Sequence, residues 1–286
     1  ALDRPPAEAA ATYQRALELY PEHVGAIDAL SQLMIAQGQF QPARLLLERS
    51  IERIADTPEV QRAGQLYYRL AQLFEQEGRD SEGFRYLTEA VKLRSKDLLP
   101  RLALGQNRFR AQRWRDALRH LREALEHPLA EEHPREAAEA LYCAGICEER
   151  LRRKERALPF FEAALGLEPE HLGALEALSS AALDRRQHRR AAALLECLAG
   201  LTPERNKRVT RLGVVADLLR SPEVGDKTSA ATAMAGLVEE LARPDGPDDD
   251  LDATRLELLP RAIPLLREQG DHGKVAAAAQ LLAGLV

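Results

Sequence analysis

Aromatic residues are scarce in this sequence: one Trp, six Tyr and six Phe make up 5% of its 286 residues. Alternating runs of β-branched residues are absent, whereas Ala, Leu, Glu and Arg, which are strong helix formers, dominate. No stretch of 18 apolar residues occurs, so the sequence predicts no insertion into a membrane. The absence of strand-like runs and the abundance of helix formers together predict an all-α protein.

The sequence also lacks an excess of charge of one sign. Its 40 basic and 45 acidic residues give a net charge of -5 and are spread evenly along the chain. Without a basic stripe there is no electrostatic case for nucleic acid as a partner. Only six basic residues are Lys, and such arginine-rich usage is compatible with a GC-rich bacterial genome. The sequence opens with neither a signal peptide nor an initiator Met, so either a leader was removed or this is an excised piece. The location is therefore left open, with the cytoplasm favoured.

Residue patterns for chemistry are missing as well. The sequence contains no HExxH, no glycine-rich phosphate loop and no GxSxG, so we expect neither an enzyme nor a cofactor. Cys143 and Cys147 stand four apart on one helix face, where small apolar packing residues are the favoured interpretation. The alternative of a surface metal site near His127 and His133 has only two acidic neighbours in sequence to support it.

The sequence repeats itself. The segments YQRALELYPEH (13–23), FFEAALGLEPEH (160–171) and LLECLAGLTPE (194–204) each place a proline after an alanine-containing helix, and an upstream helix and turn precede the second and third. Small residues recur where two helices would meet, with large apolar residues between them. This pattern resembles the tetratricopeptide repeat, a helix A–turn–helix B unit of about 34 residues. The resemblance implies a right-handed α-solenoid of stacked antiparallel helix pairs.

The repeat units alternate in length. They are expected to start at residues 24, 64, 98, 138 and 172, which gives steps of 40, 34, 40 and 34. The six additional residues fall at 58–63 and 132–137, so every second unit is entered through a longer loop. This pairing resembles the long tetratricopeptide proteins of bacteria. The alternative is that these loops have merely drifted in length, which surface loops tolerate.

We expect four segments: an incomplete first repeat with helix B only (1–23), six repeats (24–243), an acidic Pro/Asp linker (244–250) and a degenerate helix pair (251–286). The chain then begins part-way through a unit of a longer array. Its first helix would fray or be covered by a neighbouring molecule. The apolar last helix would await a further unit, so self-association through the two ends is expected.

Two departures from the repeat pattern predict local irregularity. Pro260 and Pro264 should interrupt and bend the helix that carries the last stripe. That stripe consists of Leu256, Leu259, Ile263 and Leu266. Arg101 and Arg108 replace bulky apolar residues in the third unit, which puts packing there in doubt unless their long stems cover apolar surface.

The resemblance implies that helix A of each unit lines a concave groove through its second, fifth, ninth and twelfth positions. Carried over by register, these positions are Gln32, Tyr68, Gln72, Glu75, Leu99, Leu102, Gln106, Phe109, Glu139, Tyr142, Ile146, Glu149 and Glu176, and the same register includes Asp28 and Gln65. The row is apolar and aromatic at its centre and acidic around it. The Lys and Asn clamp that some family members use for acidic chaperone tails is absent.

The groove therefore predicts a scaffold or adaptor for a partner protein or peptide with apolar anchors and basic residues. A competing interpretation is that the solenoid coils tightly, so that groove residues pack on one another. Two further functions are compatible with the groove: a regulatory module that senses a peptide, and a targeting arm of a larger enzyme.

Overall fold

The computed structural model of the chain describes residues 6–93, 97–243 and 251–285. Within these ranges there are fifteen α-helices, two short 3-10 segments and no strand, which confirms the all-α prediction. The helices are α1 (Pro6–Leu19), α2 (Val24–Ala36), α3 (Phe40–Ile54), α4 (Gly64–Gln76), α5 (Asp80–Leu93), α6 (Leu98–Arg110), α7 (Trp114–Leu125), α8 (Pro134–Arg150), α9 (Lys154–Leu167), α10 (Leu172–Asp184), α11 (His188–Leu201), α12 (Arg205–Arg220), α13 (Lys227–Ala242), α14 (Asp252–Glu268) and α15 (His272–Ala283).

The chain divides into two compact units, residues 1–160 and 161–286. In the first unit, each helix from α1 to α8 packs against the next one along the chain. In the second unit, the helices from α10 to α15 do the same. Helical hairpins cannot bury their apolar faces alone, and stacking on sequential neighbours supplies the cover. This arrangement of stacked helix pairs is the predicted α-solenoid class.

Four of the five predicted repeat starts are confirmed, because α2, α4, α6 and α10 begin at residues 24, 64, 98 and 172. The fifth is wrong: α8 begins at Pro134 instead of Ala138. Proline favours the first position of a helix, since its fixed φ is already helical and its missing N–H is not needed there. The start of α8 therefore takes in residues 134–137, which the sequence placed in a loop.

The longer junctions each contain a 3-10 segment, Pro58–Arg62 before α4 and Pro128–Glu132 before α8. The first coincides with the predicted insertion at 58–63, whereas the second shares only Glu132 with the predicted insertion at 132–137. At these two junctions the successive A helices also contact each other, α2 with α4 and α6 with α8. The alternating period is therefore a structural feature of the first unit.

Small residues lie where helix A meets helix B. A Cβ built on Gly105 of α6 would stand 2.7 Å from both Cγ and Cδ2 of Leu121 in α7. It would also stand 3.1 Å from the Leu121 backbone nitrogen. Ala71 and Ala90 are fully buried in α4 and α5. The recurring small residues of the sequence thus allow close helix approach.

Arg108 occupies the apolar position questioned above, and it is buried. Its guanidinium lies 3.6 Å from the centroid of the Phe84 ring and donates hydrogen bonds of 3.1 and 2.6 Å to Asn107 Oδ1. Burial lowers the pKa of Arg108 from its usual value. The expectation that a long stem could cover apolar surface is confirmed for this residue, while Arg101 is half-buried.

The last helix pair corrects two predictions. Helix α14 runs without a break through Pro260 and Pro264, both on its exposed side, where the missing hydrogen bonds face solvent. Leu256, placed in the apolar stripe, is 49% exposed. Helix α14 contacts both α12 and α13, so its buried face is wider than the predicted stripe and is shifted around the helix relative to it. That face consists of Leu258, Leu259, Ala262, Leu265 and Leu266.

The first helix contains no buried residue, although Leu17 packs against the core cluster of α2–α4. In the final helix, the only buried residue is Ala278 among those the structure describes. The predicted acidic linker, residues 244–250, lies outside the described residues.

Candidate helix-A binding face

Asp28 links the A faces of α2 and α4. It is 6% exposed, and its carboxylate accepts hydrogen bonds from Gln32 Nε2, at 2.7 Å, and from Gln65 Nε2. Arg69 Nε lies 3.3 Å from Asp28 Oδ1, and Arg69 Nη1 donates to Gln72 Oε1 at 3.0 Å. A buried carboxylate is stabilised when it is paired and hydrogen-bonded in this way. Where α2 and α4 meet, the predicted binding face is therefore an organised network of polar side chains.

A second polar network joins α4 to α6. Glu75 Oε1 accepts a 2.7 Å hydrogen bond from Asn107 Nδ2 and lies 2.6 Å from Arg110 Nη2. Asn107 is fully buried and also donates to the backbone carbonyl of Asp80 at 3.0 Å. Glu75 therefore contributes to packing between repeats, and its charge is already balanced.

A cleft of about 340 Å³ opens on the same helices and on the residue before α8. Tyr68 and Leu99 are the two predicted groove residues that line it and that were assigned as apolar anchors. The other lining residues are Gln65, Arg69, Asp97, Leu98, Pro100 and His133. The structure thus brings two apolar anchors together with an amide, a guanidinium, a carboxylate and an imidazole.

Tyr68 is half-buried at this cleft and packs against the cluster formed by Ala71, Leu87, Ala103 and Leu104. Burial raises the pKa of the Tyr68 hydroxyl, and the negative charges of Glu75 and Glu136 raise it further, while Arg69 acts in the opposite direction. The hydroxyl therefore remains protonated and available as a hydrogen-bond donor at neutral pH.

The predicted apolar centre of the groove is smaller than the sequence suggested. Leu102 is only 3% exposed and belongs to the core cluster around Leu98 and Leu121, so its assignment to the groove is wrong. Phe109 and Tyr142 are half-buried and pack against that cluster. The competing interpretation, that groove residues pack within the protein, therefore holds fully for Leu102 and partly for Phe109 and Tyr142.

The remaining predicted residues are dispersed. Gln106, Ile146 and Glu149 are half-buried, while Gln32 and Glu139 are exposed. Glu139 accepts a contact of 3.6 Å from the Cys143 thiol. Glu176, in the second unit, is exposed and forms a 2.8 Å ion pair with Arg211.

Sequence reasoning missed three polar residues of the cleft: Arg69, Asp97 and His133. Arg69 lies beside Tyr68, outside the family register, but its spacing of three from Gln72 on one helix was a readable signal. Asp97 and His133 immediately precede α6 and α8. Their positions depend on how the repeats stack, which a single repeat pattern does not encode.

The cysteines of α8 are buried and reduced. Burial raises the pKa of Cys147 to about 12, with a smaller contribution from Glu148, and it raises the pKa of Cys143 above the usual range. In the described part of the chain, no three His, Cys, Asp or Glu side chains are grouped to hold a metal ion. None of the helices described is long and apolar enough to cross a bilayer.

Stacked helix pairs with an organised A face define the class of α-helical repeat scaffolds. Three sequence models described as Tetratricopeptide repeat match residues 5–66, 64–97 and 102–171, together more than half of the chain. The chain belongs to the tetratricopeptide repeat family. Its members are generally non-catalytic scaffolds for protein interactions, and this chain is a protein-interaction scaffold in that general sense. No curated relative matches it.

Solved structures with TM-scores above 0.5 share the fold. PilF of Pseudomonas aeruginosa has a TM-score of 0.56 and 17% identity, over 76% of this chain and 90% of that one. A MamA double mutant from Desulfovibrio magneticus RS-1 has a TM-score of 0.51 and 17% identity, over 62% and 93%. YrrB, a TPR protein with an unusual peptide-binding site, has a TM-score of 0.49 and 23% identity, over 60% and 82%.

Proposed function

We propose that the chain is a scaffold that binds a segment of a partner protein on the helix-A face of its first unit. The observation that carries this proposal is the cleft where Tyr68 and Leu99 meet Gln65, Arg69 and His133. Concave sites with an apolar lining and a few convergent polar groups are where proteins usually take ligands. Leu99, 37% exposed, offers an apolar surface at this cleft.

The partner segment carries an apolar or aromatic anchor. The anchor side chain inserts beside Tyr68 and Leu99. The backbone of the partner segment forms hydrogen bonds with the Tyr68 hydroxyl and the Gln65 side-chain amide. Basic residues flanking the anchor face Glu136 and Glu139, both exposed near the start of α8. Glu75 and Glu176 contribute less than the sequence suggested, because both are already paired with arginines.

Peptide selection tests this proposal. Random twelve-residue peptides displayed on phage are panned against the full chain, and the affinity of the selected peptides is measured by calorimetry. We expect selected peptides to contain an aromatic or large aliphatic anchor with Lys or Arg nearby. The double variant Tyr68→Ala/Leu99→Glu should weaken their binding by about tenfold or more, because anchor residues dominate interface energies.

A matched control replaces Tyr20 and Leu45, which are 70% and 47% exposed outside this cleft. Tyr20→Ala/Leu45→Glu should change the affinity by less than about twofold, as expected for substitutions outside an interface. Thermal unfolding of both variants shows whether the fold is retained. Equal loss of binding in the two variants, or none in either, would contradict the proposed site.

A further inference from the structure

In the first unit, each of the four turns between helix A and helix B contains one residue with a positive φ. The values are 74° at Gly38, 74° at Gly78, 56° at Gln112 and 64° at Arg152. Glycine adopts this conformation freely, whereas other residues do so at a steric cost. Gln112 and Arg152 are exposed. Within the described residues neither side chain has a hydrogen bond or ion pair that would offset this cost.

Arg152 belongs to a larger group of unpaired arginines. Five exposed arginines lie in the α6–α7 and α8–α9 turns or at the helix ends that flank them, and none of them forms an ion pair with an acidic residue in the part of the chain described. We call this group the basic edge: Arg113, Arg115, Arg150, Arg152 and Arg156.

Neighbouring arginines behave differently. Arg110 is paired with Glu75, and Arg153 lies 3.5 Å from the buried carboxylate of Glu148. In the preceding α4–α5 turn, Arg79 is paired with acidic residues on both sides of it in sequence. Among the arginines at the A–B turns of the first unit, the unpaired ones are thus confined to these two turns, and no acidic side chain of the described residues forms an ion pair with them. Arg186, with a φ of 55° in the α10–α11 turn, is the corresponding residue of the second unit.

The two turns adjoin each other. The Arg150 guanidinium lies 5.8 Å from the centroid of the Trp114 ring, and Trp114 stands between Arg113 and Arg115 in sequence. Trp114 and Leu151 also pack against the same core cluster. The arginines of both turns therefore lie on one edge of the first unit, around a half-buried tryptophan.

We propose that the basic edge is a second binding site, and that it takes an acidic segment of a partner protein. Guanidinium groups bind carboxylates through two parallel hydrogen bonds. The chain as a whole carries a net charge of -5, so the positive potential is local. A Debye length of about 8 Å in physiological salt confines it to a short stretch of ligand. A short acidic peptide fits that range, whereas a nucleic acid or an anionic membrane would extend over the acidic remainder of the surface.

This site is separate from the proposed cleft, which takes an apolar anchor on the helix-A face. Two segments, from one partner or from two, could then bind the first unit together. Such bivalent binding raises affinity through effective concentration. The inference does not depend on the cleft, and each site is tested with its own ligand and its own variants.

The test uses a fluorescein-labelled octaglutamate peptide, with octaglutamine as the neutral probe, and the full chain in a fluorescence anisotropy titration. We expect binding of octaglutamate at 50 mM salt that weakens strongly at 300 mM. Arg152→Gly should reduce affinity about threefold, in the range of one exposed charge pair. The triple variant Arg113→Gln/Arg115→Gln/Arg152→Gly should reduce it about tenfold or more.

Arg152→Gly also separates binding from folding. Because glycine relieves the positive-φ strain, this variant should melt at the same temperature as the wild type or higher. A matched control, Arg49→Gln/Arg53→Gln/Arg85→Gln, removes the same charge from exposed positions on α3 and α5. It should change the affinity for octaglutamate by less than about twofold, since these positions lie outside the basic edge.

Three results would overturn the proposal. The first is octaglutamate binding no more tightly than octaglutamine, and the second is an equal loss of affinity in the control and the triple variant. The third is tighter binding of a single-stranded RNA octamer or of phosphatidylserine vesicles through the same arginines, which would identify a phosphate site instead. A lower melting temperature for Arg152→Gly would remove the strain argument.

Discussion

Replacing Gly105 by Ala tests whether close helix approach is what the repeat pattern encodes. The new Cβ would stand 2.7 Å from two side-chain carbons of Leu121 and 3.1 Å from its backbone nitrogen. Leu121 is fully buried, so its side chain has little space to move, and the backbone contact requires the helices to separate. Overpacking of this kind costs about 1–3 kcal/mol.

Alanine also favours a helix over glycine by about 1 kcal/mol, which offsets part of this cost. We therefore expect Gly105→Ala to destabilise the α6–α7 pair by up to about 2 kcal/mol. Because repeat arrays can unfold in parts, the assay is local hydrogen exchange of the peptides that cover residues 98–125. A loss of about 1.4 kcal/mol corresponds to about tenfold faster exchange.

The matched control is Gly236, which lies inside α13 with no atom within 4 Å of a built Cβ. Gly236→Ala should slow local exchange, since only the helix-propensity gain of about 1 kcal/mol applies there. If Gly105→Ala behaved like Gly236→Ala, close contact would not be the reason for a small residue at that position.

Three further predictions concern individual side chains. At pH 8 a thiol reagent should modify only Cys197 in the native chain, because it is exposed while Cys143 and Cys147 are buried with raised pKa values; three thiols should react after denaturation. Asn107→Ala should lower stability by about 1–3 kcal/mol, measured by urea unfolding, because buried polar partners lose their hydrogen bonds; an unchanged midpoint would contradict the network. Because the folded pKa of Tyr68 is raised above its unfolded value of 10.0, its contribution to stability should be complete below pH 10 and decline as the pH rises further, a decline that Tyr68→Phe should reduce in alkaline unfolding.

The fold was readable from the sequence because repeat packing is local. A small residue such as Gly105 and the positive-φ turn glycines Gly38 and Gly78 impose the same geometry in each unit. This is why four of the five helix starts could be assigned to the residue. The exception, α8, begins at Pro134, where the preference of proline for a first helical position outweighed the repeat register.

The candidate site was less readable, because it depends on contacts between repeats. The register placed Leu102 in the groove, yet the approach of α8 to α6 buries it. Glu75 fitted the predicted acidic rim, but its pairing with Asn107 and Arg110 depends on residues more than thirty positions away. The basic edge was hidden for the same reason. Its arginines are spread along the sequence and become a cluster only when two turns meet beside Trp114.

The central claim is that a partner segment binds on the helix-A face of the first unit. Hydrogen–deuterium exchange of the full chain with and without a saturating selected peptide tests it most directly. The account predicts slower exchange in residues 64–76 and 98–110, which form α4 and α6, and little change in α3 and α5. Protection confined to α3, α5 or the second unit would contradict it.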